Sequence, residues 1–220
     1  MVIGTSHIEG GACTSDELVK IIQKISPDVI FFEASSEKFP AMLRATETFN
    51  PPEIKALRAI IEKQSVDVIP VDLNEDPFDR RLEAMFELFR TRITEYHYAT
   101  EIQAGETYRL GFPFLNSEDC DQIHKDKSSM EFAFVANSNH LELSTTYKDW
   151  LEWNDKRENQ WMNVIHDHFI KMSKIKTAVF LVGSAHRIRL MEKIKNFQVG
   201  NELIPQWDFY SFKPIVNETF

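Results

Sequence analysis

The chain has only two cysteines, Cys13 and Cys120, and no Cys-x-x-Cys pair. That excludes a disulfide framework and a structural zinc knuckle, and leaves two free thiols as the expectation. Basic charge is also short: 25 Lys and Arg stand against 34 Asp and Glu, for a formal net charge of -9. Proteins that grip phosphate backbones need clustered cations to release counterions, so nucleic acid is not an expected partner. No apolar run approaches the length that crosses a bilayer, and the opening MVIGTSH lacks a basic segment leading into an apolar one. A cytoplasmic protein without a membrane span is therefore expected. Repeats at a solenoid period and low-complexity segments are missing too.

What is present is the composition of an ordinary globular protein, 43% hydrophobic and 27% charged over 220 residues, enough for one domain with a core. Val2 and Ile3 read as the end of a first strand, followed by a loop from Gly4 to Ala12. Thr14 and Glu17 form a capping box, and Leu18, Ile21, Ile22 and Ile25 recur at helical spacing until Pro27. Residues 28–33, DVIFFE, read as a second strand covered on both faces and ending in Glu33. Pro51 and Pro52 open a helix carrying Ile54, Leu57, Ile60 and Ile61, and 66–72, VDVIPVD, reads as a third strand. Pro70 removes a ladder donor there, which predicts an edge or a bulge.

From Asp76 to about Gln103 the pattern is helical through Leu82, Met85, Phe86, Phe89, Ile93 and Tyr96. It breaks between Gly105 and Lys127 and resumes from Ser144 to Ser173. A buried strand, 177–182, a helix, 188–197, and a last strand within 207–212 complete the pattern. The prediction is a single α/β domain over 1–220, with a mostly parallel central sheet flanked by helices and a helical insert at about 76–173.

Two strands end in Gly-x-x-His: Gly4 with His7, and Gly183 with His186. Ligands of open parallel sheets sit beyond the carboxyl ends of the strands, where His7, Glu33, Asp72 and His186 are all expected. Glycine at positions 4 and 183 permits a tight exit from the strand and leaves room above the backbone. Two imidazoles and a carboxylate suit a divalent metal such as zinc with positions open for water. They equally suit metal-free general base chemistry with Glu33 fixing a tautomer. Asp72, followed by Asn74 and Pro77, also reads as a cap or turn residue. His166 and His168, at i and i+2, diverge on a helix and read as one exposed and one partly buried residue, while His97, His124 and His140 read as isolated loop or surface residues. The stretch 155–159, DKREN, reads as a solvated helix face or as part of the site.

Together GTSHIEG, DVIFFEAS, KRENQWM and AVFLVGSAHRIRLMEKI resemble the TraB, PrgY, GumN and Tiki group of the erythromycin esterase and ChaN-like superfamily. The resemblance implies an α/β core with a long helical insert. It implies metal-dependent hydrolysis of peptide or amide bonds, with His7, His186 and Glu33 as ligands of Zn, Mn or Co. Arg157 and Asn159 would then support the site or contact substrate, Arg157 by stabilising an oxyanion. The chain lacks the hydrophobic segments of membrane-anchored members and the secretion signals of many GumN-like ones, and has Arg187-Ile188-Arg189 where GumN-like sequences run Gly-rich. Alternatives are a metal-free esterase using a His/Glu pair, and a non-catalytic protein whose Arg157, Arg187 and Arg189 capture an anionic small molecule or haem. A small-molecule or peptide substrate is expected in either enzyme reading.

Overall fold

The computed structural model describes residues 1–45, 51–64, 66–75, 80–172, 175–198 and 206–210. Both limits of the expected insert, Asp76 and Ser173, lie outside the described residues, as do Pro77 and positions 211 and 212 of the expected last strand.

A four-stranded, all-parallel sheet forms the centre, with β1 (Val2–Thr5), β2 (Val29–Ser35), β3 (Asp67–Asp72) and β4 (Ala178–Gly183) in the order β1-β4-β2-β3. The last strand in sequence therefore separates the first two. Thr5 pairs with Gly183 on one side, and Phe32 pairs with Leu181 on the other, so the loops after β1 and β4 leave the sheet beside Glu33. Two expectations shift slightly. Gly4 lies within β1 rather than in a loop, and β2 continues past Glu33 to Ser35. Pro70 sits on an edge strand, beside a register shift between Phe32 and Ser35. At the other edge the tail touches β1 through a bridge from Val2 to Phe209.

Strand residues alternate between two cores, as the period of two requires. Ile3, Ile30, Phe32, Val179 and Leu181 pack on one face against α1 (Ser15–Ile25), α3 (Pro52–Lys63) and α6 (Phe112–Leu115). Val2, Val29, Phe31, Phe180 and Val182 pack on the other against α8 (Leu141–Lys171) and α9 (Arg187–Gln198). The Thr14 hydroxyl caps α1 by accepting from the Glu17 N–H, as the capping box predicts. In α3, Ile54, Leu57 and Ile60 are buried, whereas Ile61 is turned to solvent. A short α2 (Phe39–Arg44), with Pro at its start, was not visible in the sequence pattern.

The insert is more helical than its pattern indicates. Among the described residues it holds α4 (Arg80–Arg92), α5 (Thr94–Leu110), α6, α7 (Glu118–Asn137) and α8. Gly105 lies inside α5, and α7 occupies the stretch expected to break up. The reason is chemical: α7 buries Cys120, Asp121 and Glu131 beside Val135, so polar residues take positions that an amphipathic pattern reserves for apolar ones. Leu82, Met85, Phe89, Tyr96, Val135, Leu143 and Tyr147 give the insert its own core. The 31 residues of α8 span about 46 Å at 1.5 Å per residue. Its first half belongs to that core, and its second half anchors on the sheet through Trp161, Met162 and Ile165. Burying each such side chain contributes roughly 1.5–3 kcal/mol, which fixes α8 against the strand ends. Among the described residues no helix is long and apolar enough to cross a membrane.

Candidate active site

A cavity of about 580 Å³ opens at the carboxyl ends of β1, β4 and β2, between the loop after β1 and α5. Of the four residues the strand-end argument places there, His7, Glu33 and His186 line it, together with Gly183, while Asp72 does not. A Cβ placed on Gly183 would lie 3.4 Å from Glu33 Oε2, 3.7 Å from His186 Cδ2 and 3.8 Å from His7 Nε2. The space over that glycine is therefore the point where the three side chains meet.

Each imidazole is held from behind by a buried glutamate that the sequence reading missed. His7 Nδ1–H donates to Glu53 Oε1 on α3 at 3.1 Å, and the Thr5 hydroxyl donates to the same oxygen at 2.7 Å. His186 Nδ1–H donates to Glu158 Oε1 on α8 at 2.9 Å, while Arg189 Nε holds the other oxygen of that carboxylate at 2.9 Å. Glu53 and Glu158 are both 0% exposed. With Nδ1 spent on a carboxylate, Nε2 is left for the cavity: His7 presents Nε2 to the shared point, while His186 presents Cδ2 there and Nε2 toward Glu33. The hydrogen bond to Glu53 raises the pKa of His7, whose side chain is 61% exposed, to about 9, which favours the imidazolium at neutral pH. His186 Nε2 stands 3.7 Å from Glu33 Oε1. The loop carrying His7 is pinned by Glu9, which accepts from Ser15 N–H and Oγ–H and pairs with Lys55.

Glu33 is held on both oxygens. Arg157 Nη2 donates to Oε1 at 2.6 Å and the Gly183 N–H donates to Oε2 at 2.6 Å. Burial pushes its carboxyl up, but the neighbouring His186 imidazole, the Arg157 guanidinium, the His7 imidazole and the Gly183 N–H outweigh it and hold it below the usual range. Arg157 also binds Asp72 through Nε and Nη2 and donates to Asn154 through Nη1, and it lies between the rings of Trp153 and Trp161, 4.4 and 4.8 Å from their centroids. Trp161 Nε1–H donates to Asp72 as well. Residues 153, 154, 157, 158 and 161 share one face of α8 at helical spacing, and that face builds the support for the whole site.

Two expected roles change. Arg157 is committed to Glu33, Asp72 and Asn154, so it positions Glu33 rather than meeting an oxyanion. Asn159 is exposed, bonded to Asp155 and Lys193, and takes no part in the cavity. Asp72 belongs to the Arg157 network; beyond accepting from its neighbour Leu73 N–H, it is the anchor for Arg157 and Trp161. The guanidiniums that motivated anion capture are all engaged by carboxylates: Arg187 by Asp121, and Arg189 by Glu158. His166 and His168 are both half-buried and stand apart from the cavity. His140 caps α8 by accepting from Leu143 N–H.

The two glycines of the paired motifs do different work. A Cβ on Gly4 would lie 2.6 Å from Arg187 Cδ and 2.9 Å from the Leu115 carbonyl oxygen. Asn116 braces the same position, accepting from Gly4 N–H at 2.7 Å and donating to its carbonyl at 2.9 Å. Gly4 thus serves close packing, and Gly4→Ala is expected to cost about 1–3 kcal/mol by overpacking. A thermal melt followed by circular dichroism checks this, and an unchanged Tm would refute it.

For a divalent metal, the two Nε2 atoms and their carboxylate-anchored Nδ1 atoms fit. Glu33 fits less well as a third donor, because Arg157 and the Gly183 N–H already occupy one lone pair on each of its oxygens. Among the described residues no group of three His, Cys, Asp or Glu side chains is arranged to hold an ion. The signal for Glu53 and Glu158 was present in the sequence: each lies at helical spacing among core residues, Glu53 with Leu57 and Ile60, Glu158 with Trp161 and Ile165. Comparison of the chain with protein-family models, with curated proteins and with solved structures finds no match.

Proposed function

We propose that this chain is a hydrolase that attacks a carbonyl carbon with water held between His186 and Glu33. The observation that carries the reading is the pair of imidazoles, each fixed by a buried glutamate at Nδ1 and turned toward the space over Gly183. His186 Nε2 and Glu33 Oε1 stand 3.7 Å apart, and in this reading a water bridges them, donating to Nε2 and to the Oε1 lone pair that Arg157 leaves open. His186 takes a proton from the water as its oxygen bonds to the carbonyl carbon. The His7 imidazolium stabilises the developing oxyanion and gives its Nε2 proton to the leaving amine or alcohol. The products are an acid and an amine or alcohol. His186 ends with the extra proton and His7 without it, and solvent resets both.

Peptide or amide bonds are the first substrate class and esters the second, following the resemblance to the TraB, PrgY, GumN and Tiki group, which is part of this proposal together with a cytoplasmic setting. A second reading is favoured by the Nδ1 carboxylates, because such contacts orient metal-bound imidazoles. In it His7 and His186 hold Zn, Mn or Co, with Glu33 as third ligand once released from Arg157. The ion would supply a more acidic bound water.

The test is a panel of activated esters and amides assayed with wild type, His7→Ala and His186→Ala, with and without a strong chelator. The expected result is chelator-resistant turnover that falls roughly 10²–10⁴-fold in each variant. Because His7 acts in its protonated form, the rate is expected to decline as pH rises through about 9. Turnover lost to chelator and restored by added metal selects the second reading. Equal rates in wild type and both variants would end both.

A further inference from the structure

The insert brings a third imidazole into the cavity. His124 on α7 lines it together with Gln103 on α5 and Ser184, which begins the single 3-10 turn, Ser184–His186, between β4 and α9. Lys127, one helical turn beyond His124, donates from Nζ to Gln103 Oε1 at 3.2 Å and lies 4.8 Å over the Tyr96 ring. Gln103 Nε2 stands 3.3 Å from His124 Nε2, and Ser184 Oγ stands 3.2 Å from that same nitrogen.

The proton positions in this chain follow from its first member. An ammonium group can only donate, so the Gln103 atom facing Lys127 is the carbonyl oxygen. The amide nitrogen then faces His124 and donates, which leaves Nε2 of His124 as an acceptor and puts its single proton on Nδ1. Gln103 and Ser184 share that one lone pair as a three-centre bond. Burial first, then the neighbouring Lys127, His186 and Arg187, push the pKa of His124 down to about 4, so a second proton is disfavoured at neutral pH.

We propose that His124 is a positioning residue of the site, fixed as the Nδ1–H tautomer by Lys127 acting through Gln103, and that it anchors the Ser184 hydroxyl and with it the turn that delivers His186. The cavity then holds two imidazoles in opposite charge states for separate reasons, His7 favoured as a cation by a carboxylate and His124 kept neutral first by burial and then by the nearby Lys127. Only the kinetic consequence rests on the hydrolytic reading; the tautomer does not.

The experiment is a long-range ¹⁵N–¹H correlation spectrum of the full chain labelled with ¹⁵N-histidine at pH 7, with the His124 signals assigned by their loss in His124→Gln. A protonated Nδ1 and an unprotonated Nε2 are expected, and Lys127→Met is expected to shift the ring toward the Nε2–H form. Finding wild-type His124 as Nε2–H or as imidazolium, or finding its tautomer unchanged in Lys127→Met, would overturn the assignment. For the kinetic arm, His124→Leu is expected to lower kcat up to about tenfold with KM little changed, the scale of one lost hydrogen bond. His124→Gln, whose side-chain carbonyl can accept from the same donors, is expected to restore it. Equal kcat in wild type and His124→Leu would overturn the positioning role while leaving the hydrolytic reading intact. Failure of wild type to hydrolyse any ester or amide would count against that reading alone, with the spectrum still deciding the tautomer.

Discussion

Arg157→Met is expected to destabilise the protein by about 3–5 kcal/mol, because it removes one partner from a buried ion-pair network and strands the rest. At about 2–4 °C per kcal/mol for a chain of this size, Tm should fall by about 6–20 °C. The side chains involved are nearly enclosed: Arg157 is 9% exposed, Glu33 8% and Asp72 14%. Met fills similar volume and keeps contact with Trp153 and Trp161, so the loss reports charge rather than packing. Lysine is not an adequate replacement, since a single ammonium cannot reproduce the planar fork that meets Glu33, Asp72 and Asn154 together. Adding Glu33→Gln and Asp72→Asn to Arg157→Met should recover part of the stability, because no buried charge then lacks a partner.

The same network sets an acid-side dependence. Glu33 is held below its ordinary value of 4.5, so the folded state favours its ionised form. The stability it contributes is complete above about 4.5 and is lost as pH falls through the folded-state value. In Arg157→Met that acid-side loss should shrink. Chemical denaturation at pH 7 and at successively lower pH measures both effects, and a variant as stable as wild type at pH 7 would show that Arg157 does not hold the site together.

Much of this arrangement was legible in the sequence because strand ends are legible. The apolar runs that stop at Gly4 and Gly183 and the run through Glu33 fixed three of the side chains that converge, and a parallel sheet leaves one edge for them to meet on. The parts that stayed hidden are those in which a helix buries polar groups. Glu158 stood in a stretch that also read as solvated, and Glu53 stood in a helix read for its isoleucines and leucine. His124 and Gln103 lie on helices without a strong apolar stripe, so their positions over the strand ends depend on how the insert folds back. Arg157 was found by its place in the sequence, yet its role differed, because one guanidinium spends its Nε and both Nη2 donors on Glu33 and Asp72 and an Nη1 donor on Asn154.

Gly183→Ala isolates the central claim that catalysis takes place in the space over that residue. Gly183 has φ -53 and ψ 134, a conformation open to any L residue. The new Cβ would meet Glu33 Oε2, His186 Cδ2 and His7 Nε2 at 3.4, 3.7 and 3.8 Å, all ordinary contact distances. The backbone N–H that holds Glu33 is retained. The substitution therefore fills the reaction space without disturbing what surrounds it. A displacement of reacting atoms by about 1 Å can cost on the order of 10²-fold in rate. The direct measurement is ester and amide hydrolysis by Gly183→Ala beside its thermal melt. A Tm within about 2 °C of wild type together with at least a roughly hundredfold loss of turnover is the predicted result. Wild-type turnover in a variant that keeps its fold would place the chemistry elsewhere and contradict the account.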